Sequence, residues 1–451
     1  MGLIDNKETS FDLDLFVSKT SRNETNHFHI YVDDESLYEV ENGAFVADKL
    51  SQEEYGRLIH EYVHYIQHIQ TLYGANRIRW YTRLYIEYYK YLNTHETVEL
   101  PLHIDRVAPT AIPFIKKAEG KEGQQHYDYQ IDEIEIREDD IEDARKEKRY
   151  VCVGIYDFKA NEVRGGVDGY HFGCWAIIEG MAHNIQIMID PTAADRHRSV
   201  PYKVVDRICE KLYPEIYTNK LLMISLCFVS LLYDNPGVGF FDIAEHIVDF
   251  NITDGRQLYK EILLNTINFK GEPMSVKDML KNIHDQVVAQ LKELFGAELE
   301  YYPQVFEQTQ QELSTGESTL LNILYDGRIN DKKSFNDILL KVYGFPFIES
   351  HEASLFQNNP KTNKPYHEVA CLASWELLYK RLISRETKCK RYDLCRGNET
   401  FSPECKDVQW LKDEDCILSC GFRFFGKHVK EWKQEITDKN KGSITFRVGN
   451  Q

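Results

Sequence analysis

Residues 51–68 read Ser51-Gln52-Glu53-Glu54-Tyr55-Gly56-Arg57-Leu58-Ile59-His60-Glu61-Tyr62-Val63-His64-Tyr65-Ile66-Gln67-His68. Ser51 and Glu54 form a capping-box pair, in which the serine hydroxyl and the glutamate carboxylate satisfy free N–H groups at a helix start. The spacing predicts a helix from there to about Gly74, with a second aromatic-rich helix over roughly 76–93. Inside the first helix, His60 and His64 are four residues apart and share one face. Two imidazoles so placed can bind one zinc ion, with Glu61 beside a metal-bound water as general base. Leu58, Ile59, Tyr62, Val63, Tyr65 and Ile66 around them are uncharged, as a buried active-site helix requires. The competing reading is a chance match on an amphipathic helix, and the cap and the uncharged flanks weigh against it.

The His60-Glu61-Tyr62-Val63-His64 segment resembles the active-site helix of the zincin metallopeptidases. The likeness implies a helix packed on a twisted sheet whose edge strand aligns substrate, and the β-rich run His27–Val32 upstream is the candidate for a strand of that sheet. A catalytic zinc needs a third protein ligand and an open position. His68 continues the face of His60 and His64, but eight residues of straight helix span about 12 Å, too far for one ion. The metzincin pattern turns the chain with a glycine, and Gln67 stands in that place. His68 is therefore expected as an interior or second-shell histidine.

Trp175-Ala176-Ile177-Ile178-Glu179-Gly180-Met181-Ala182-His183 supplies a better third ligand. A glutamate in so apolar a helix is costly to bury unless it is paired or binds metal. An arginine partner would also satisfy it. Glu-Gly-x-Ala resembles the second helix of the gluzincin branch, in which the glutamate is the third ligand and the glycine relieves crowding between helices. In thermolysin-like members a carboxylate four residues further on supports a ligand histidine. His183 occupies that place here, so the second shell must differ, with His183 either accepting a hydrogen bond or approaching the metal. Tyr170 and His171, in the glycine-rich approach to this helix, are the candidates for stabilising an oxyanion.

Outward from these two helices, residues 127–149 read as a strand followed by a charge run on a solvated face or loop. Residues 151–158 read as a strand, and about 172–188 as an apolar helix. Helical spacing then recurs near 202–212, 218–233, 239–249, 255–266, 275–295, 303–314 and 366–385. The expected fold class is α+β and predominantly helical. A zincin-like catalytic core with a small sheet (1–195, with a charged insertion near 127–158) precedes a helical region (196–385) that packs on it and a Cys-rich basic tail (386–451).

The chain has 451 residues, 42% hydrophobic and 28% charged, enough to bury a sizeable core. Its net charge of −18 disfavours attraction to nucleic acid or an anionic membrane as a whole. The opening lacks a basic flank before a long apolar run, and Leu221–Tyr233 falls short of the roughly 20 residues that cross a bilayer. A soluble, cytoplasmic protein without membrane partners is expected. A di-iron centre is excluded because the second Glu-x-x-His, Glu24 to His27, enters a strand. His351-Glu352 and His367-Glu368 lack a partner four residues on, and the sequence carries no phosphate-binding loop and no serine nucleophile elbow.

Five of the ten cysteines, Cys389, Cys395, Cys405, Cys416 and Cys420, cluster in the tail with spacings that match no common finger or ferredoxin run. From Lys380 onward 16 basic and 11 acidic residues give +5, a weak inclination toward nucleic acid confined to this segment. Reduced thiols are the plain reading. A second, structural Zn²⁺ or an iron–sulfur cluster on four of them is the alternative, Cys420 being the one left out. The whole reads as a zinc metallopeptidase acting on a protein or peptide. The rival is a zinc-containing scaffold whose helical region binds partners.

Overall fold

The computed structural model describes residues 47–94, 111–120, 130–157, 169–197, 199–269, 271–295 and 299–344. It also describes the short segments 2–3, 22–24, 28–31, 40–41, 44–45, 97–100, 162–164, 346–349, 354–356, 368–369, 432–438 and 442–448, with residues 372 and 376. All five tail cysteines lie outside the described residues.

Helix α1 (Gln52–Gln70) begins at the capping box: Glu54 N donates to Ser51 Oγ at 3.2 Å, and Ser51 N to Glu54 Oε2 at 2.6 Å. Every residue of α1 from Leu58 onward is buried, so it runs through the interior rather than along a surface. It ends earlier than its spacing predicts. Thr71 is extended, its hydroxyl donating to Gln67 O at 2.6 Å and accepting from Gly74 N at 3.2 Å. Helix α2 (Leu72–Thr94) starts at once. A Cβ on Gly74 would lie 2.4 Å from His68 Cα, so only glycine lets the chain reverse this tightly.

Next come α3 (Ala111–Glu119), α4 (Glu138–Glu147) and α5 (Cys174–Ile189). Of the two readings of the charge run, a solvated face or a loop, helix α4 is the first: Ala144 is its one buried residue. Glu138, Asp139 and Asp140 occupy its first turn and Arg145 and Lys146 its last, the arrangement that the helix dipole favours. Between α4 and α5, the strand Val151–Asp157 pairs antiparallel with Glu133–Glu135, Glu162–Arg164 and Tyr170–Phe172. Its Val151, Val153 and Ile155 face inward.

There follow α6 (Ala193–Arg196), α7 (Val204–Leu212), α8 (Pro214–Tyr217), α9 (Lys220–Ser230), α10 (Pro236–Asp249), α11 (Gly255–Leu264), α12 (Val276–Phe295), α13 (Tyr301–Thr315), α14 (Thr319–Tyr325) and short helical turns over 332–343. The sequence places most of their bounds within a few residues. One apolar core runs through them and through α1, α2 and α5, with α2 on α12, α5 on α9 and α1 on α13. Among the described residues no helix is long and apolar enough to cross a membrane.

His29–Tyr31 is a strand, as the sequence predicts. It pairs antiparallel with Arg22–Glu24 and parallel with Phe347–Glu349, which pairs with Ser354–Phe356 and through it with Gly2–Leu3. It therefore lies inside the sheet and not at the edge. Phe28, just before it, packs edge-on against Tyr65 of α1 at 5.4 Å.

Candidate metal centre

Two sets of contacts fix the rotation of α1. On one side its tyrosine hydroxyls donate to main-chain carbonyls of residues 329–344: Tyr55 to Ile329 at 3.1 Å, Tyr62 to Gly344 at 2.8 Å and Leu339 at 3.2 Å, and Tyr65 to Tyr343 at 2.7 Å. The other side faces α5, which crosses antiparallel. Gln52 Nε2 donates to Ile189 O at 2.5 Å at one end, and Gln67 Nε2 to Ile178 O at 3.1 Å at the other. Gly56 allows the approach, since a Cβ there would already lie 3.3 Å from Asp190 Cβ. Gly180, beside Glu179, does a different job from relieving the α1 crossing. A Cβ on it would stand 2.9 Å from Val205 Cγ2, so it admits α7.

This crossing brings together His60, His64 and Glu179, whose donor atoms all lie within 4.8 Å of one another. His60 Nε2 and His64 Nε2 are each 3.4 Å from Glu179 Oε2. Zinc bonds of about 2.0–2.1 Å put tetrahedral ligand atoms about 3.3 Å apart, so the two histidine–glutamate separations suit that ion. Among the described residues the cluster has three donors and no fourth. His60, His64 and Glu61 are each 6% exposed, whereas the Glu179 side chain is 20% exposed, so the carboxylate marks the open side. Glu61 sits about 60° around the helix from His64, and its charge helps to raise that ring's pKa.

The electrostatics fit a cation. Burial lowers the pKa of His60, which Glu179 offsets only in part. Burial also acts against charge on His64, but the charge and hydrogen bonding of Glu179 outweigh it and raise the ring to about 9. Burial would raise the Glu179 carboxyl. The two histidines hold it well below the usual carboxylate range instead. A proton on His64 and a divalent ion shared by all three groups are thus competing ways to balance one buried carboxylate.

The other sequence candidates are placed as follows. His68 points its Nδ1 at His64 O, 2.6 Å away, and burial lowers its pKa to about 3; it is an interior ring tied to its own helix. His183 is 1% exposed and packs against His197 and Tyr202, with ring centroids 5.0 and 5.4 Å away. It is not in the ligand cluster. Tyr170 and His171 are both residues of the strand Tyr170–Phe172. Tyr170 is fully buried opposite Val153 in the sheet, and the His171 ring stacks on Tyr150 at 3.6 Å. They precede α5, and a helix carries residue 179 away from its own start at about 1.5 Å per residue.

Beside His60 lie two residues that the sequence does not single out, His197 and Tyr202. The His197 ring lies parallel to His60 at 6.1 Å, Tyr202 lies 6.0 Å from His60, and the two are 4.7 Å apart. Burial and the neighbouring His60 lower the His197 pKa to about 4, so the ring is neutral. Only the packing of α7 against Gly180 delivers this segment to the site, and no local sequence signal announces it. Known protein families, curated proteins and solved structures give no match to this chain.

Proposed function

We propose that the chain is a zinc-dependent peptidase whose metal is held by His60 Nε2, His64 Nε2 and a carboxylate oxygen of Glu179. The observation that carries this reading is the meeting of an HExxH pair with a glutamate 115 residues away in sequence, at separations that suit a tetrahedral ion. Three donors rather than four among the described residues favour catalysis over a purely structural metal, which is normally closed by four protein ligands. The bound ion would supply Lewis acidity toward a carbonyl oxygen and toward water.

The protein's own groups do the rest. A carboxylate oxygen of Glu61 takes the proton from the attacking water and holds it for the leaving amine. The Tyr202 hydroxyl and the neutral His197 ring, both beside His60, are the donors for negative charge that develops on the carbonyl oxygen. The buried walls of α1 and α5 exclude bulk water, which strengthens each of these interactions. The substrate is a protein or peptide.

Cleavage of a peptide library by the full chain, followed by mass spectrometry, tests the reading. Glu61→Gln should lose about 100-fold or more of the hydrolysis while retaining zinc. Hydrolysis at the wild-type rate by zinc-loaded Glu61→Gln would refute it.

A further inference from the structure

Gln67 joins the two halves of the metal centre. It is 1% exposed, three residues beyond His64 on α1. Its Oε1 lies 2.9 Å from His64 Nδ1. Its Nε2 donates to Ile178 O at 3.1 Å and lies 3.2 Å from Met181 Sδ, both on α5 next to Glu179. A main-chain carbonyl can only accept, so the Ile178 contact fixes the amide with its NH₂ toward α5 and its oxygen toward His64. That oxygen can also only accept. His64 must therefore keep a proton on Nδ1, and Nε2 is the nitrogen left for Glu179 or a metal.

The geometry points to Gln67 as the positioning residue of the centre: it holds His64 in the tautomer that binds zinc through Nε2 and ties that ring to the helix carrying Glu179. This rests on the zinc-site reading above. The other ligand histidine also has a glutamine beside it. Gln186 of α5 is 1% exposed and lies close enough to His60 to raise that ring's pKa, without a hydrogen bond to it. Metal-bound histidines are commonly oriented by carboxylates, carbonyls or water. Here Gln67 gives His64 a neutral amide, so Glu179 is the one anion in the ligand cluster. Two neutral imidazoles and one carboxylate leave a divalent ion with one uncompensated positive charge, which favours a strong Lewis acid over the tightest binding.

The test uses the full chain and the zinc equivalent that Glu179→Ala loses, with affinity read by competition against a chromogenic chelator. Gln67→Met fills the same space without an acceptor and should weaken zinc binding by about 10- to 100-fold. Gln67→Glu keeps an acceptor toward Nδ1 in either protonation state but, when ionised, gives up the donation to Ile178 O, so it should bind zinc clearly more tightly than Gln67→Met. Cobalt-substituted protein should show a changed visible spectrum for the Met variant. Equal affinities for wild type and Gln67→Met, or an equal loss in both variants, overturn the proposal. A second measurement needs no variant: spectra of isotope-labelled histidine in the zinc-loaded wild type should place the His64 proton on Nδ1, and a proton on Nε2 refutes it. If Glu179→Ala loses no zinc, the site reading fails and this inference fails with it. If Glu179→Ala loses zinc and Gln67→Met binds like wild type, only this inference fails.

Discussion

The last turn of α1 is anchored on a buried carboxylate whose removal has a calculable effect. Glu312 of α13 is 8% exposed and accepts hydrogen bonds from Gln70 Nε2, from the Tyr343 hydroxyl at 2.7 Å and from Thr319 N at 2.6 Å. Burial pushes its carboxyl up, these donors pull it back only in part, and it titrates at about 7 against an ordinary 4.5. Between those values the folded chain binds more protons than the unfolded one, so this group's stabilising contribution is complete below about pH 4.5 and lost as pH rises through about 7. At about 1.4 kcal/mol per unit the loss amounts to about 3 kcal/mol. Glu312→Gln abolishes the ionisation. Gln70 Oε1, which has no hydrogen-bond partner among the described residues, can turn to accept from the new amide. Urea unfolding from about pH 5 to about pH 8 should show the variant gaining up to about 3 kcal/mol on wild type at the alkaline end and little at the acid end. A variant that keeps the wild-type slope with pH, or is destabilised above pH 7, would refute the assignment.

Other substitutions separate the scaffold from the site. Tyr62→Phe removes donation to Gly344 O and Leu339 O on the side of α1 away from His60 and His64. It should cost about 1–3 kcal/mol in chemical denaturation and leave zinc affinity unchanged. Gly180→Ala drives a Cβ to 2.9 Å from Val205 Cγ2. It should cost about 1–3 kcal/mol, and Val205→Ala should recover part of that in a double-mutant cycle read by thermal unfolding.

What the sequence revealed of the site follows the range of the interactions. His60, Glu61 and His64 are legible because helical periodicity alone puts them on adjoining faces. Glu179 is legible because a carboxylate in an apolar helix needs a partner. The capping box at Ser51 is equally local, and it is present. The charge run 138–147 carries acidic and basic ends in helical order, but its lack of an apolar stripe hid the helix; only Ala144 of α4 is buried. Tyr170 and His171 rest on nearness in sequence to the Glu179 helix, and such nearness does not by itself place a side chain beside Glu179. His197 and Tyr202 reach His60 from the segment before α7, and the strand Phe347–Glu349 reaches His29–Tyr31 across some three hundred residues. Such pairings depend on tertiary complementarity that periodicity does not encode. Gln67 lay in plain view, yet its role follows only from Ile178 O fixing the orientation of its amide.

Zinc content per chain, measured on purified wild type, Glu179→Ala and His68→Ala, tests the central claim most directly. Loss of one of three ligands should lower metal affinity steeply, whereas loss of an interior ring bonded to its own helix should change stability and not metal. The account predicts that Glu179→Ala loses one equivalent of zinc relative to wild type and that His68→Ala loses none. Retention of that zinc by Glu179→Ala, with its loss from His68→Ala, would contradict it.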